Sequence, residues 1–284
     1  MPWWAETGAR RCSAPCWPGT ATEYIALPWR RRSCPQKIPK AGCLQGCVYG
    51  ADCVVLPVPA ERGGLLTAPL AAEELSMEQL LGALWPGQLL CGGAFSRESC
   101  LSAIRAGLTV NDLMQRRSFT VGNAAVTAEG AMELLMKNSP RTLWRSRVLV
   151  TGWGRVAKLL ALRLGALGAR VTVAARKEGD RAMAAALGLE AVDFGGLDGA
   201  LETLHFLVNT VPARVLGEDM LARLPGDALL LELASAPGGF DRAAAESAGL
   251  RVLAAPGLPG LCAPLTAAEL MREAIYDILR EREE

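Results

Sequence analysis

The chain has 284 residues, enough for two domains of ordinary size, and its 30 basic side chains nearly cancel 29 acidic ones. That balance provides no field to gather nucleic acid or an anionic membrane, and no apolar run approaches the roughly 20 residues of a spanning helix, so a small, local ligand is expected instead. The first 30 residues lack the basic start and apolar core of a secretory signal, and the nine cysteines are odd in number, so reduced thiols in a cytoplasmic protein are expected.

The first forty-odd residues have no hydrophobic periodicity, yet they hold Cys12, Cys16, Cys34 and Cys43 and four of the seven tryptophans. The pairs Cys12-x3-Cys16 and Cys43-x3-Cys47 lack histidines and the tighter spacing of a zinc site, and no metal is expected. From about residue 50 the pattern becomes that of a folded domain. Asp52-Cys53-Val54-Val55-Leu56-Pro57 is a short apolar run stopped by proline, which predicts a buried strand; 73–84 has helical spacing. Gln88-Leu89-Leu90-Cys91-Gly92-Gly93 predicts a second strand running into a glycine turn, and 99–106 a short helix. Strand and helix in alternation predict a parallel sheet.

Between 127 and 138, Ala131, Leu134 and Leu135 recur at helical intervals and predict a connecting helix with Thr127 as N-cap. Strands are then predicted at 147–150, 170–174, 190–194, 205–209, 228–233 and 250–254, and an amphipathic helix at 266–280. Five or six parallel strands in so short a span make an α/β doubly wound sheet.

Its first strand runs into Val148-Leu149-Val150-Thr151-Gly152-Trp153-Gly154-Arg155-Val156-Ala157-Lys158. Gly152 permits a tight turn, Gly154 lets the backbone approach a pyrophosphate, and the small Ala157 lets helix and strand pack closely, with the helix N-terminus offering N–H groups to the anion. A glycine turn without ligand is the alternative. About 20 residues on, where an NAD site places an acidic residue for the ribose hydroxyls, the chain has Ala174-Ala175-Arg176-Lys177. Two cations and no carboxylate favour NADP over NAD, unless both are only solvated surface charges. The later strands close on Asn209-Thr210-Val211-Pro212, on Leu233-Ala234-Ser235-Ala236-Pro237-Gly238-Gly239 and on Pro256-Gly257-Leu258-Pro259-Gly260, at the carboxyl rim where such sheets hold ligands. The cofactor set expected from these loops is Thr151 to Val156, Arg176, Lys177, Asn209 to Val211 and Leu233 to Ser235.

The stretches VLVTGWGRVAK, VTVAARK, FLVNTVP, LELASAPGGFD and LAAPGLPG, in this order and spacing, resemble the A subunit of dipicolinate synthase, a sporulation enzyme of spore-forming Firmicutes, over roughly residues 50–284. The resemblance implies two Rossmann-like domains and oxidation of 4-hydroxytetrahydrodipicolinate to pyridine-2,6-dicarboxylate in the cytoplasm of the sporulating mother cell, beside a flavoprotein-like B subunit. Homo-oligomerisation is left open. The expected domains are an irregular segment at 1–45, an incomplete N-terminal α/β domain at 46–126, a connecting helix at 127–140, an NADP-binding domain at 141–265 and a C-terminal helix at 266–284 packing back towards the first domain.

Loss of water and of hydride from such a substrate ends in an aromatic ring, so the protein has mainly to orient two rings. Glu129 is the candidate for proton handling and Ser235 a second catalytic candidate; Asn123, Thr127, Gly238, Gly239, Pro259 and Gly260 are candidates for the substrate. His205, the single histidine, opens a strand and is read as structural. Three positions depart from the family pattern: Ala236 and Leu265 stand where basic residues are expected, and Val126 where a proline is. The alternatives are a dehydrogenase of another small carboxylic acid and a catalytically defective NADP-binding protein.

The resemblance implies a first strand that ends in a Gly-Gly-Asp turn. Back-translating Trp3-Trp4-Ala5-Glu6-Thr7 gives TGG TGG GCN GAR ACN, which read from the last base of its first codon becomes GTG GGC NGA RAC. Valine and glycine are forced, and one guanine in each of the next two codons supplies glycine and aspartate. The chain is therefore expected to follow a shifted frame until about residue 40 to 50, with a strand, turn and helix of the first domain missing and an uncovered edge in its sheet.

Overall fold

The computed structural model describes residues 12–13, 44–67 and 74–283. All but a few residues of the segment expected to follow a shifted frame lie outside these. The chain divides into two compact units, one of residues 1–120 with 268–284, the other of 121–267.

In the first unit the described elements are β1 (Cys12–Ser13), α1 (Leu44–Val48), β2 (Cys53–Val55), β3 (Glu61–Arg62), β4 (Leu65–Leu66), α2 (Met77–Ala83), β5 (Leu89–Gly92), α3 (Arg97–Arg105) and β6 (Thr109–Asp112). The parallel order is β1-β2-β5-β6, with Cys12 opposite Cys53 and Cys91 opposite both Val55 and Asn111, while β3 and β4 form a small hairpin. β5 is buried throughout, as a strand covered on both faces must be. One face packs Val54, Leu56, Leu80 and Leu90 together; the other packs Cys53, Leu89, Cys91 and Leu113 against Ala274, Ile275, Ile278 and Leu279 of the last helix. Ser76 and Gln79 close a capping box at the start of α2. Neither β6 nor the hairpin is foreshadowed in the sequence: both are short, and β6 (Thr-Val-Asn-Asp) is half-exposed, so it carries no apolar run.

The predicted connecting helix is longer than expected. The helix α4 (Arg117–Lys137) begins ten residues before Thr127, whose hydroxyl donates to the carbonyl of Asn123 at 2.7 Å instead of capping an end. Gly122, Asn123 and β-branched residues weaken local helix propensity here. Burial of Phe119, Ala124, Val126, Ala128, Ala131 and Leu135 outweighs it.

The second unit continues with β7 (Arg147–Thr151), α5 (Arg155–Ala166), β8 (Arg170–Ala174), α6 (Glu178–Ala186), β9 (Glu190–Val192), α7 (Asp198–Leu201), β10 (Phe206–Asn209), α8 (Glu218–Leu221), β11 (Leu229–Glu232), α9 (Arg242–Ser247), β12 (Arg251–Ala254) and α10 (Leu258–Cys262); α11 (Pro264–Glu281) returns the chain to the first unit. The order β12-β11-β10-β7-β8-β9 is all parallel and reverses direction of growth between β7 and β10. The fold is thus the doubly wound α/β sheet that the alternation predicts. Successive residues feed opposite faces: Val148, Val150, Phe206 and Val208 join one core, Leu149, Leu207 and Leu230 the other. α5 buries Ala157, Leu160, Ala161 and Leu164, one stripe at helical spacing. The Pro-Gly stretch after β12, expected as a loop, forms the five-residue α10, with Gly257 in the left-handed region (φ 71°) as its N-cap and Pro259 in its first turn. Among the described residues no helix is long and apolar enough to cross a membrane.

Candidate dinucleotide site

The order of strands reverses between β7 and β10, and the carboxyl ends of the strands at such a reversal are the place where open α/β sheets hold ligands. Gly152 takes φ 92°, and a Cβ there would lie 2.8 Å from Thr210 Oγ1 and 2.9 Å from Val211 Cγ2. The turn after β7 and the loop after β10 are therefore interlocked, and only glycine fits. Gly154 differs. A Cβ on it would meet nothing within 4 Å, it stands as N-cap of α5, and no side chain caps the helix. An open approach in front of an uncapped helix N-terminus fits a diphosphate.

Behind this turn the polar residues at the rim are spent on one another. Thr151 and Asn209 are fully buried, and the Thr151 hydroxyl donates to Asn209 Oδ1 at 2.5 Å. Asn209 Nδ2 donates to the Val211 carbonyl at 2.9 Å and to Glu232 Oε1 at 2.6 Å. The Glu232 carboxylate also accepts the amides of Ala234 and Gly239, both at 2.9 Å. Register explains the gathering: Thr151 lies opposite Asn209, and Asn209 opposite Glu232, so three adjacent strands end level. The Thr210 hydroxyl closes the group on the Thr151 carbonyl at 2.7 Å.

This network engages several of the groups that the sequence offers to a ligand. Thr151 and Asn209 hold the loops and do not present side chains to a ligand. The Gly239 amide, a candidate for a substrate carboxylate, is taken by Glu232, and the Gly238 amide by the Ser235 carbonyl at 3.0 Å. Gly239 serves close packing instead, since a Cβ there would collide with the Asn209 side chain. Ser235 itself is exposed, at the start of that turn. Leu233, Ala234 and Val211 line the loops half-buried. Glu232 is the residue that sequence reading missed; a carboxylate ending the apolar run Leu229-Leu230-Leu231 was the available signal.

Trp153, between the two glycines, turns into the core with 6% exposure, its Nε1 buried without a partner and the Lys158 ammonium 5.7 Å over its ring. Arg155 is exposed and Val156 half-buried in the first turn of α5. At the end of β8, Arg176 and Lys177 are both exposed, and the Ala175 amide continues the pairing with β9 by donating to the Val192 carbonyl at 3.0 Å.

The remaining candidates lie elsewhere. Asn123, Thr127 and Glu129 are in α4, and Pro259 and Gly260 in α10. Glu129 is exposed and pairs with Arg163 Nη2 at 3.4 Å, while Arg163 Nη1 donates to the Ala125 carbonyl at 2.6 Å. Arg163 is eight residues into α5, about 12 Å down the helix from the glycine turn, so this pair braces a flank of the sheet. α4 approaches α10 at Gly130, where a Cβ would meet Cys262 Sγ at 2.6 Å. His205 accepts the Arg147 amide at Nδ1, 3.2 Å away, at the amino end of the sheet, opposite to the rim. Among the described residues no group of three or more His, Cys, Asp or Glu side chains could hold a metal ion.

No family model matches the chain. The A subunit of dipicolinate synthase from Bacillus subtilis (strain 168) is 31% identical over 232 residues, which span 81% of this chain and 78% of that protein. The chain belongs to the dipicolinate synthase A-subunit family. The crystal structure of the Bacillus subtilis protein superposes with a TM-score of 0.73 at 30% identity, covering 83% of this chain and 80% of that one. The corresponding protein from Bacillus halodurans gives 0.72 at 29%, covering 82% and 79%. A transhydrogenase from Sinorhizobium meliloti, 14% identical with a TM-score of 0.66 over 86% and 77% of the two chains, shares the fold alone.

Proposed function

We propose that this protein oxidises 4-hydroxytetrahydrodipicolinate to dipicolinate with NADP. The observation that carries the reading is the pair of unlike glycines at the strand reversal. One is locked by Thr210 and Val211, and the other opens an uncapped helix, in a chain of the dipicolinate synthase A-subunit family. Arg176 and Lys177, with no carboxylate between them and the end of β8, favour a 2′-phosphorylated ribose. When bound, the nicotinamide supplies a hydride acceptor.

The residues of the chain act by binding and holding. The amides beside Gly154 take the diphosphate, and the Thr151–Asn209–Glu232 network fixes the loops at 209–211 and 233–239 that shape the floor beside it. Substrate loses one water, one hydride and one proton, and the aromatic product supplies much of the driving force, so the site needs alignment more than strong acid or base groups. Ser235, exposed at the start of its turn, is the polar side chain offered from this rim to substrate or to the nicotinamide amide.

The test is to supply 4-hydroxytetrahydrodipicolinate and NADP to the purified protein, with and without a flavoprotein-like B subunit, and follow pyridine absorbance. Pyridine product supports the reading, and a requirement for the second protein establishes the partnership. Reduced nucleotide without pyridine product points to another small carboxylic acid as substrate, and NADP binding with no turnover to a non-catalytic nucleotide-binding role.

A further inference from the structure

The loop after β8 holds a third cation that the spacing of the motif conceals. Arg181 lies in the first turns of α6 and points back towards the helix start, as helical side chains do. Its Nη1 donates to the carbonyls of Ala175 at 2.9 Å and Arg176 at 2.8 Å. The guanidinium is thus pinned at the carboxyl end of β8 by the two residues that follow the strand. Among the described residues it makes no other hydrogen bond or ion pair, so its Nε and Nη2 donors are uncommitted there.

We propose that Arg181 is a specificity-determining residue that binds the 2′-phosphate of NADP, a proposal that rests on the NADP reading above. Three observations support it. The end of the second strand is where a doubly wound sheet meets the adenosine ribose. A guanidinium already fixed on one edge loses little rotamer freedom when its other edge takes a phosphate, unlike the exposed Arg176 and Lys177. Charge count alone does not select the phosphate, because Glu178 and Asp180 share the same turn. Selection therefore depends on where a cation is held, and Arg181 is the one held by the loop.

The experiment measures dissociation constants of NADP and NAD for the wild-type protein, Arg181→Gln and Arg181→Lys, with thermal midpoints alongside. The expected result is that R181Q weakens NADP on the order of tenfold and NAD by less than about threefold, as loss of one charge-assisted hydrogen bond predicts, with R181K intermediate. Equal losses for both nucleotides, or a lowered thermal midpoint with an unchanged ratio, would make Arg181 only a brace for the loop and overturn the proposal. If the wild-type protein prefers NAD, the cofactor half of the functional reading is what fails; if it prefers NADP and R181Q keeps the preference, only the role of Arg181 fails.

Discussion

Asn209 and Glu232 end neighbouring strands at the same level, and the side-chain amide of the first donates to the carboxylate of the second at 2.6 Å. Through that contact a buried hydrogen bond from Thr151 reaches the loop amides of Ala234 and Gly239. Replacing Glu232 with Gln exchanges one accepting oxygen for an NH2 group that must face a donor. The expected loss is on the order of 1–3 kcal/mol in urea unfolding, together with weaker dinucleotide binding. Unchanged stability in E232Q would show that the carboxylate does not organise these loops.

The two glycines of the turn should separate folding from binding. Gly152→Ala forces a side chain into positive φ and against Thr210, and should cost at least about 1–2 kcal/mol of stability. Gly154→Ala projects into open space from ordinary backbone (φ −75°), so the unfolding free energy should move by less than about 1 kcal/mol. Dinucleotide affinity in G154A should nevertheless fall, by roughly tenfold or more, because the methyl occupies the approach to the helix amides. Calorimetric titration beside a denaturation curve reads both outcomes.

His205, at the amino end of the sheet, gives the protein a pH-dependent contribution to stability. Burial lowers its pKa from the ordinary value, Arg141 adds to the shift, Asp227 opposes it and Arg147 adds again. A histidine that protonates less readily when folded leaves the unfolded chain holding more protons as pH drops. Its contribution is therefore whole above the ordinary value of about 6.5 and is lost as pH falls towards the lowered one. Thermal midpoints measured between about pH 7.5 and 5 should fall less steeply in His205→Gln than in the wild type. Parallel curves would refute the assignment.

Gly130 and Cys262 should behave as a coupled pair. Gly130→Ala brings a methyl to 2.6 Å from the sulfur and 3.3 Å from the Cβ of Cys262, so the single variant should lose on the order of 1–3 kcal/mol. Adding Cys262→Ala removes the nearer contact and should recover part of that loss. Additive losses in the double variant would mean that α4 and α10 do not meet at this point.

Much of the second unit was legible because its central strands are apolar runs and its glycines follow the first of them. Val148, Val150, Phe206 and Val208 announce their burial by composition alone. The same signal is weak in β6, and in the first turns of α4, where Gly122 and Asn123 argue against a helix that burial of Phe119 and Ala124 imposes. At the site, sequence reading found the loops but assigned their polar groups to ligands. A side chain at the end of a strand can serve its neighbour as well as a substrate, and only the level endings of β7, β10 and β11 show that Asn209 and the Gly239 amide serve Glu232. Arg181 was hidden for a related reason, since its reach runs backwards along the helix past two residues that looked sufficient.

The missing Cβ at position 239 also constrains how this rim can diverge. A side chain acquired there collides with Asn209, so a shorter residue at 209 has to come first, and that step alone severs the link between Thr151 and Glu232. Every one-substitution route passes through a weakened intermediate, whereas a Cβ at position 154 would meet nothing within 4 Å in the protein, so the proposed nucleotide is what would hold glycine there. Among relatives, 209 and 239 should consequently change as a pair, and departures at 154 should mark lineages that have abandoned the nucleotide.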